Sequence, residues 1–204
     1  IKKYYNENPQ KFVDRLYNFG LGEKSKIDLS GVPSPRILSP EDSSWSGISL
    51  PWISFGYSIN LTPLDILTFY NSVANNGYLK HPYLGYALRE GSQLFEIERN
   101  NISHVICSEL TIQNVKILLR EVVKSGTAQK LNSLPFSVSG KTGTIVKNYT
   151  KSSLKKEYQS SFVGFFPSED PKYTCIVLVD RPNPNIGYYA SDVAVPVFKE
   201  IAQK

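Results

Sequence analysis

A lysine, two threonines and two glycines fall within six residues at Ser139-Gly140-Lys141-Thr142-Gly143-Thr144. An ammonium beside hydroxyls can hold a carboxylate through charge-assisted hydrogen bonds. The stretch follows Pro135-Phe136-Ser137-Val138, where apolar and polar residues alternate, and precedes Ile145-Val146, so the period of two predicts one strand running through all of it. Glycine weakens a strand and is placed where the chain bulges or where a ligand or second backbone comes close. Gly143 between two threonines fits an edge strand that accepts an extended peptide as an added strand, through main-chain hydrogen bonds, while Lys141, Thr142 and Thr144 hold an anionic group.

The flanking segments extend the pattern. Upstream runs Leu119-Arg120-Glu121-Val122-Val123-Lys124-Ser125-Gly126-Thr127-Ala128. Downstream come Ser161-Phe162-Val163-Gly164-Phe165-Phe166-Pro167 and Tyr173-Thr174-Cys175-Ile176-Val177-Leu178-Val179-Asp180. With Phe19-Gly20-Leu21-Gly22, Ser54-Phe55-Gly56-Tyr57, Thr62-Pro63-Leu64, Ala74-Asn75-Asn76-Gly77 and Val193-Ala194-Val195-Pro196-Val197-Phe198, in that order, nearly the whole chain resembles the C-terminal portion of a class B penicillin-binding protein transpeptidase domain. Lys-Thr-Gly is the third element of such active-serine enzymes, after Ser-x-x-Lys and a Ser-x-Asn-like element.

The resemblance implies an α+β fold of the penicillin-recognising serine-enzyme type. Residues 1–204 would be one piece of a single transpeptidase domain, holding the last three strands of an antiparallel sheet, flanking helices and part of a helical subdomain. It implies a peptidoglycan D,D-transpeptidase whose serine attacks the penultimate D-Ala carbonyl, and which penicillins acylate. Thr142 and Thr144 would bind the substrate carboxylate, with Gly143 between them. Lys141 would supply charge and assist proton movement, and the Thr144 backbone N–H would form half of an oxyanion hole. Lys141 and Thr144 are thus the expected catalytic residues, with no cofactor and no metal. Expected partners are stem peptides, the lipid-linked precursor, β-lactam antibiotics and membrane proteins of cell division or elongation. The expected location is the periplasmic face of a bacterial inner membrane, with an N-terminal anchor outside this chain. A β-lactam sensor or serine β-lactamase is the alternative reading, and a non-catalytic scaffold a second.

Two elements of the resemblance are not in their places. Ser-x-x-Lys and Ser-x-Asn precede a segment like Phe19 to Gly22 in the family, and these 204 residues begin about one helix before it, so the nucleophile is expected upstream and the fragment alone is expected to be inactive. Ser152-Ser153-Leu154-Lys155, Ser153-Leu154-Lys155-Lys156 and Ser58-Ile59-Asn60 match the short patterns by accident. The chemistry needs its serine at the start of a buried helix with the lysine one turn later on the same face. Position 65 holds Asp where the resemblance leads one to expect glutamine, and position 58 holds Ser where glycine is common.

Composition agrees with a globular domain: 41% hydrophobic and 20% charged residues. No apolar run approaches the roughly 18 residues of a membrane helix. A net charge of +5 from 23 basic and 18 acidic side chains, without a dense basic face, argues against a nucleic-acid partner. The local excess at Lys147, Lys151, Lys155 and Lys156 reads as a solvated loop. Two cysteines define no disulfide framework, and Cys175 reads as a small core residue.

The elements that must position the motif are legible from periodicity. A helix is predicted over 8–18, with Asn8 as cap, Pro9 at the first position, and Phe12, Leu16 and Phe19 inward. Residues 23–61 read as a long irregular segment pinned by Trp45 and Trp52. Thr62-Pro63-Leu64-Asp65 opens a helix with a capping-box-like arrangement, and Asn75-Asn76-Gly77 closes it. Ser108 or Thr111 starts a second helix whose apolar face is Ile112, Val115, Leu118, Leu119 and Val122. Three strands follow, Pro182 to Gly187 break the last, and Ser191 or Asp192 caps a terminal helix carrying Val195, Phe198 and Ile201.

Overall fold

The computed structural model describes residues 1–27, 29–97, 102–148 and 156–204, which divide into two compact units. The first comprises Ile1–Ser72 and Tyr78–Cys107, the second Val73–Gly77 and Ser108–Lys204.

The first unit is made of short elements. Helix α1 spans Lys2–Tyr5 and α2 Gln10–Asn18. The Asn8 side chain accepts from the Lys11 N–H at 3.3 Å, so it caps α2 as expected. The fully buried residue of α2 is Val13 rather than Phe12 or Leu16. Within the predicted irregular stretch, β1 (Arg36–Ile37) pairs antiparallel with β2 (Ile59–Asn60), and α3 (Ser49–Ile53) buries Leu50 and Ile53. Five residues are too few to show a helical period, so α3 is not visible in the sequence pattern. Trp52 contacts Phe55 and Tyr57 in an aromatic cluster, a packing role. Helix α4 (Pro63–Ala74) opens on a reciprocal cap. Thr62 N–H and Oγ1 both donate to Asp65 Oδ2, at 2.8 and 2.7 Å, and the Asp65 N–H donates back to Thr62 Oγ1 at 3.1 Å. Strand β3 (Tyr78–Lys80) pairs with β6 (Ile102–Val105), and β4 (Ala87–Glu90) forms a hairpin with β5 (Gln93–Glu96).

The second unit carries the motif. Helix α5 (Glu109–Lys124) is capped by Ser108, whose hydroxyl accepts from the Thr111 N–H. It buries Ile112, Leu119 and Val123, while Leu118, expected inward, is 66% exposed. A 3₁₀ turn (Gln129–Ser133) leads to β7 (Ser139–Val146), β8 (Tyr158–Phe166) and β9 (Tyr173–Asp180), an antiparallel sheet in the order β7-β8-β9. Strand β7 starts four residues later than the sequence pattern suggests, because Ser137 serves a turn contact: its Oγ accepts from the Ser168 N–H and donates to Glu169. Helix α6 (Ala190–Ala202) lies on one face of the sheet, with Ala194, Val195 and Phe198 fully buried. Ile201, expected inward, is half exposed. The core between α6 and the sheet joins Val123, Leu131, Val138, Phe162, Val177 and Phe198, with Cys175 packed at its margin. The Phe198 ring stands edge-on to Phe162 at 4.7 Å. No helix among the described residues is long and apolar enough to cross a membrane.

Candidate functional site

Strand β7 is an edge among the described residues, and its register decides what that edge offers. Pairing with β8 is unbroken from Ser139 opposite Phe165 to Val146 opposite Tyr158, and the Lys147 N–H continues it by donating to the Glu157 carbonyl at 2.8 Å. Backbone groups in an antiparallel ladder alternate between facing the partner and facing away. The odd residues of β7 therefore bond to β8. The N–H and C=O groups of Thr142 and Thr144 face the open side. Of the two reasons for a glycine in this strand, a bulge is absent, since the register never shifts.

Close approach is the reason that holds, and it is strongest at Gly140. Gly140 lies opposite Gly164, and a Cβ on it would stand 2.5 Å from the Val163 carbonyl oxygen and 2.6 Å from the buried Phe162 ring. At Gly143 a Cβ would meet only the Ser161 hydroxyl, at 2.9 Å.

Side chains alternate between the sheet's faces. Ser139, Lys141 and Gly143 share one face, and Thr142 and Thr144 share the other with Val138. The exposed Lys141 donates from Nζ to the Thr142 carbonyl, 2.9 Å away, which brings its ammonium to the open edge. Thr142 Oγ1 lies 2.7 Å from Thr127 Oγ1, and Thr144 Oγ1 accepts from the Ala190 N–H at 3.2 Å. Lys141, Thr142, Gly143 and Thr144 thus present a cation, two hydroxyls and two outward N–H groups along one open edge. A donor set of this kind suits an extended, anionic peptide-like ligand.

Neighbouring elements fix β7 at both ends. Near its start, Arg120 on α5 donates to the Val138 carbonyl at 3.3 Å, and Ser139 Oγ donates to Ser168 Oγ at 2.9 Å. Both residues line a groove of about 200 Å³ shared with Lys116, Lys124 and Glu169. The hydrogen bond from Ser137 holds the Glu169 carboxyl below its usual range, with Arg120 and Lys124 adding to the effect. Toward the far end, Tyr158 and Tyr188 stack at 4.0 Å, and the Tyr188 hydroxyl donates to that of Tyr189 at 3.2 Å. Tyr189, beside Ala190, is 57% exposed.

Sequence reasoning did not single out Thr127, Ala190 or the tyrosines. Thr127 stood in the quoted Gly-Thr-Ala segment, but its partner Thr142 is 15 residues away, a pairing that no local period reveals. The accidental matches are Ser152 to Lys156 and Ser58 to Asn60. Residues 152–155 lie outside the described residues. Ser58 starts no helix; it precedes β2 with φ +60°, a left-handed value that accounts for the glycine expected at this position.

Comparison with known proteins finds relatives along nearly the whole chain. The chain is 30% identical over 196 residues to the peptidoglycan D,D-transpeptidase FtsI of Buchnera aphidicola, covering 95% of this chain and 33% of that protein. It is 27% identical to the stage V sporulation protein D of Bacillus subtilis, covering 94% and 30%. The chain thus spans about a third of the length of the curated relatives it matches. Penicillin-binding protein 3 of Mycobacterium tuberculosis superposes with a TM-score of 0.81 at 25% identity in its apo form, over 96% of this chain and 46% of that one. Its ampicillin complex gives 0.80. The family described as the penicillin binding protein transpeptidase domain matches residues 5–203, and the chain belongs to that family.

Proposed function

We propose that the protein carrying this chain is a peptidoglycan D,D-transpeptidase, and that β7 is the substrate-binding edge of its active site. One observation carries the reading: the open edge of β7 presents the N–H groups of Thr142 and Thr144 beside two hydroxyls and the Lys141 ammonium. A stem peptide would lie along this edge with its terminal carboxylate on the Thr142 and Thr144 hydroxyls. Lys141 would stabilise that carboxylate and assist proton movement. The Thr144 N–H would donate to the oxyanion as the serine Oγ attacks the penultimate D-Ala carbonyl; D-Ala leaves, and an amine on a second stem takes the acyl group. The serine belongs to sequence outside these 204 residues. β-Lactams, which acylate the same serine, would use the same edge. The site would work on the outer side of the bacterial inner membrane, with membrane proteins of division or elongation as partners.

The test is acylation by fluorescent penicillin, read on denaturing gels. The intact polypeptide should retain the label and the 204-residue chain alone should not. Lys141→Ala in the intact polypeptide should slow labelling about a hundredfold or more without changing the thermal midpoint. Unchanged labelling would remove Lys141 from the mechanism, and rapid release of hydrolysed penicillin would identify a lactamase instead.

A further inference from the structure

The two threonine hydroxyls of β7 are each held by a group from another element, and their proton arithmetic differs. A hydroxyl has one proton to give and two lone pairs. The Ala190 N–H, at the start of α6, can only donate, so Thr144 Oγ1 accepts there and keeps its proton for another partner. The Thr127–Thr142 contact at 2.7 Å permits either direction by itself. A carboxylate on the open edge removes that freedom. It is acceptor-only, so Thr142 binds it by donating, and the only proton then left for the Thr127 contact is that of Thr127.

We propose that Thr127, three residues beyond the end of α5, is a positioning residue. It donates to Thr142 and thereby orients the Thr142 proton toward the ligand's carboxylate, as the Ala190 N–H does for Thr144. This rests on the reading that Thr142 and Thr144 bind a carboxylate. Thr127 is itself exposed, so its hydrogen bond contributes little to folding. In a chain of hydroxyls ending on an anion, each donor polarises the next, and the bond to the charged group strengthens. Its value therefore appears when the anion is bound.

The experiment uses the intact polypeptide and two probes, benzylpenicillin and its methyl ester, which lacks the carboxylate. Second-order acylation constants are measured for the wild type, Thr127→Val and Thr127→Ser. Thr127→Val should lose about tenfold with the free acid, through weaker binding before acylation, and change less than about twofold with the ester. Thr127→Ser, which restores the hydroxyl, should return the free-acid constant to within about twofold of wild type. An equal loss on both probes would show general damage to the site and overturn the proposal, as would no loss on either. A wild type that reacts with neither probe would remove the carboxylate reading itself, and the proposal with it. A wild type that reacts with both equally would do the same.

Discussion

Gly140 and Gly143 sit three residues apart on one strand, yet they answer to different neighbours. A Cβ at 140 would overlap backbone and a buried ring, neither of which can swing aside: the Val163 carbonyl belongs to β8, and Phe162 is fully enclosed. A Cβ at 143 would press on the end of one serine side chain, which can rotate. Gly140→Ala should therefore cost about 1–3 kcal/mol by overpacking, seen as a lower urea midpoint, whereas Gly143→Ala should unfold close to wild type. Equal midpoints for the two variants would refute this contrast. The sequence marked Gly143 as the position with a reason, because it stands between two threonines. What it could not show was Gly164 on the facing strand, which turns Gly140 into half of a close glycine pair.

At the scale of the element, the helix starts were legible because capping is local chemistry. Thr62 and Asp65 exchange three hydrogen bonds across one turn, and Ser108 caps α5 in the same way. Asp65→Ala should cost about 1–2 kcal/mol, since it leaves the Thr62 N–H and hydroxyl without their acceptor in a largely buried setting. Asp65→Gln should recover much of this, because glutamine also accepts at that position of a capping box. Thermal unfolding of the two variants checks it; equal losses would mean that the carboxylate does more than cap. Which apolar residues of a helix face inward was less legible. Leu118 and Ile201 fit a helical period but lie outside, while Val123, in the same helix as Leu118, and Ala194, in the same helix as Ile201, are buried in the core. A period fixes a stripe only to within a residue or two, and the neighbour that settles it is distant in sequence. The β7 site was legible for the opposite reason: Lys141, Thr142, Gly143 and Thr144 are consecutive, so their juxtaposition needed no tertiary knowledge. Thr127 and the Ala190 N–H, brought in by chain reversal, did need it.

For the whole molecule, the two units differ in how they should respond to acid. Both histidines of the chain, His81 and His104, belong to the first unit, whereas the β7 site belongs to the second. His81 borders a cavity of about 20 Å³ with Glu23, Lys24, Asp65 and Phe69, and its Nε2 is buried without a hydrogen-bond partner. Burial holds the imidazole below its ordinary 6.5; Lys26 and His104 push the same way, and Glu23 opposes them. The sign follows directly. In the unfolded chain His81 takes its proton near 6.5, while in the folded unit it resists until lower pH, so the unfolded state binds more protons across that window. The stabilising effect of the neutral imidazole is complete above 6.5 and is lost as pH falls from there toward the folded value. Hydrogen-exchange protection of β3 and β6, corrected for intrinsic rates, should therefore drop between pH 7.5 and 5.5, while that of β7, β8 and β9 should hold. This range spans the ordinary imidazole value, where the charge of His81 changes on unfolding. His104 is separated by substitution: its Nε2 lies 2.7 Å from the Asn18 carbonyl oxygen, and His81→Gln leaves that contact in place while removing the pH dependence. A parallel loss in both units, or a dependence that persists in His81→Gln, would assign the effect to other groups.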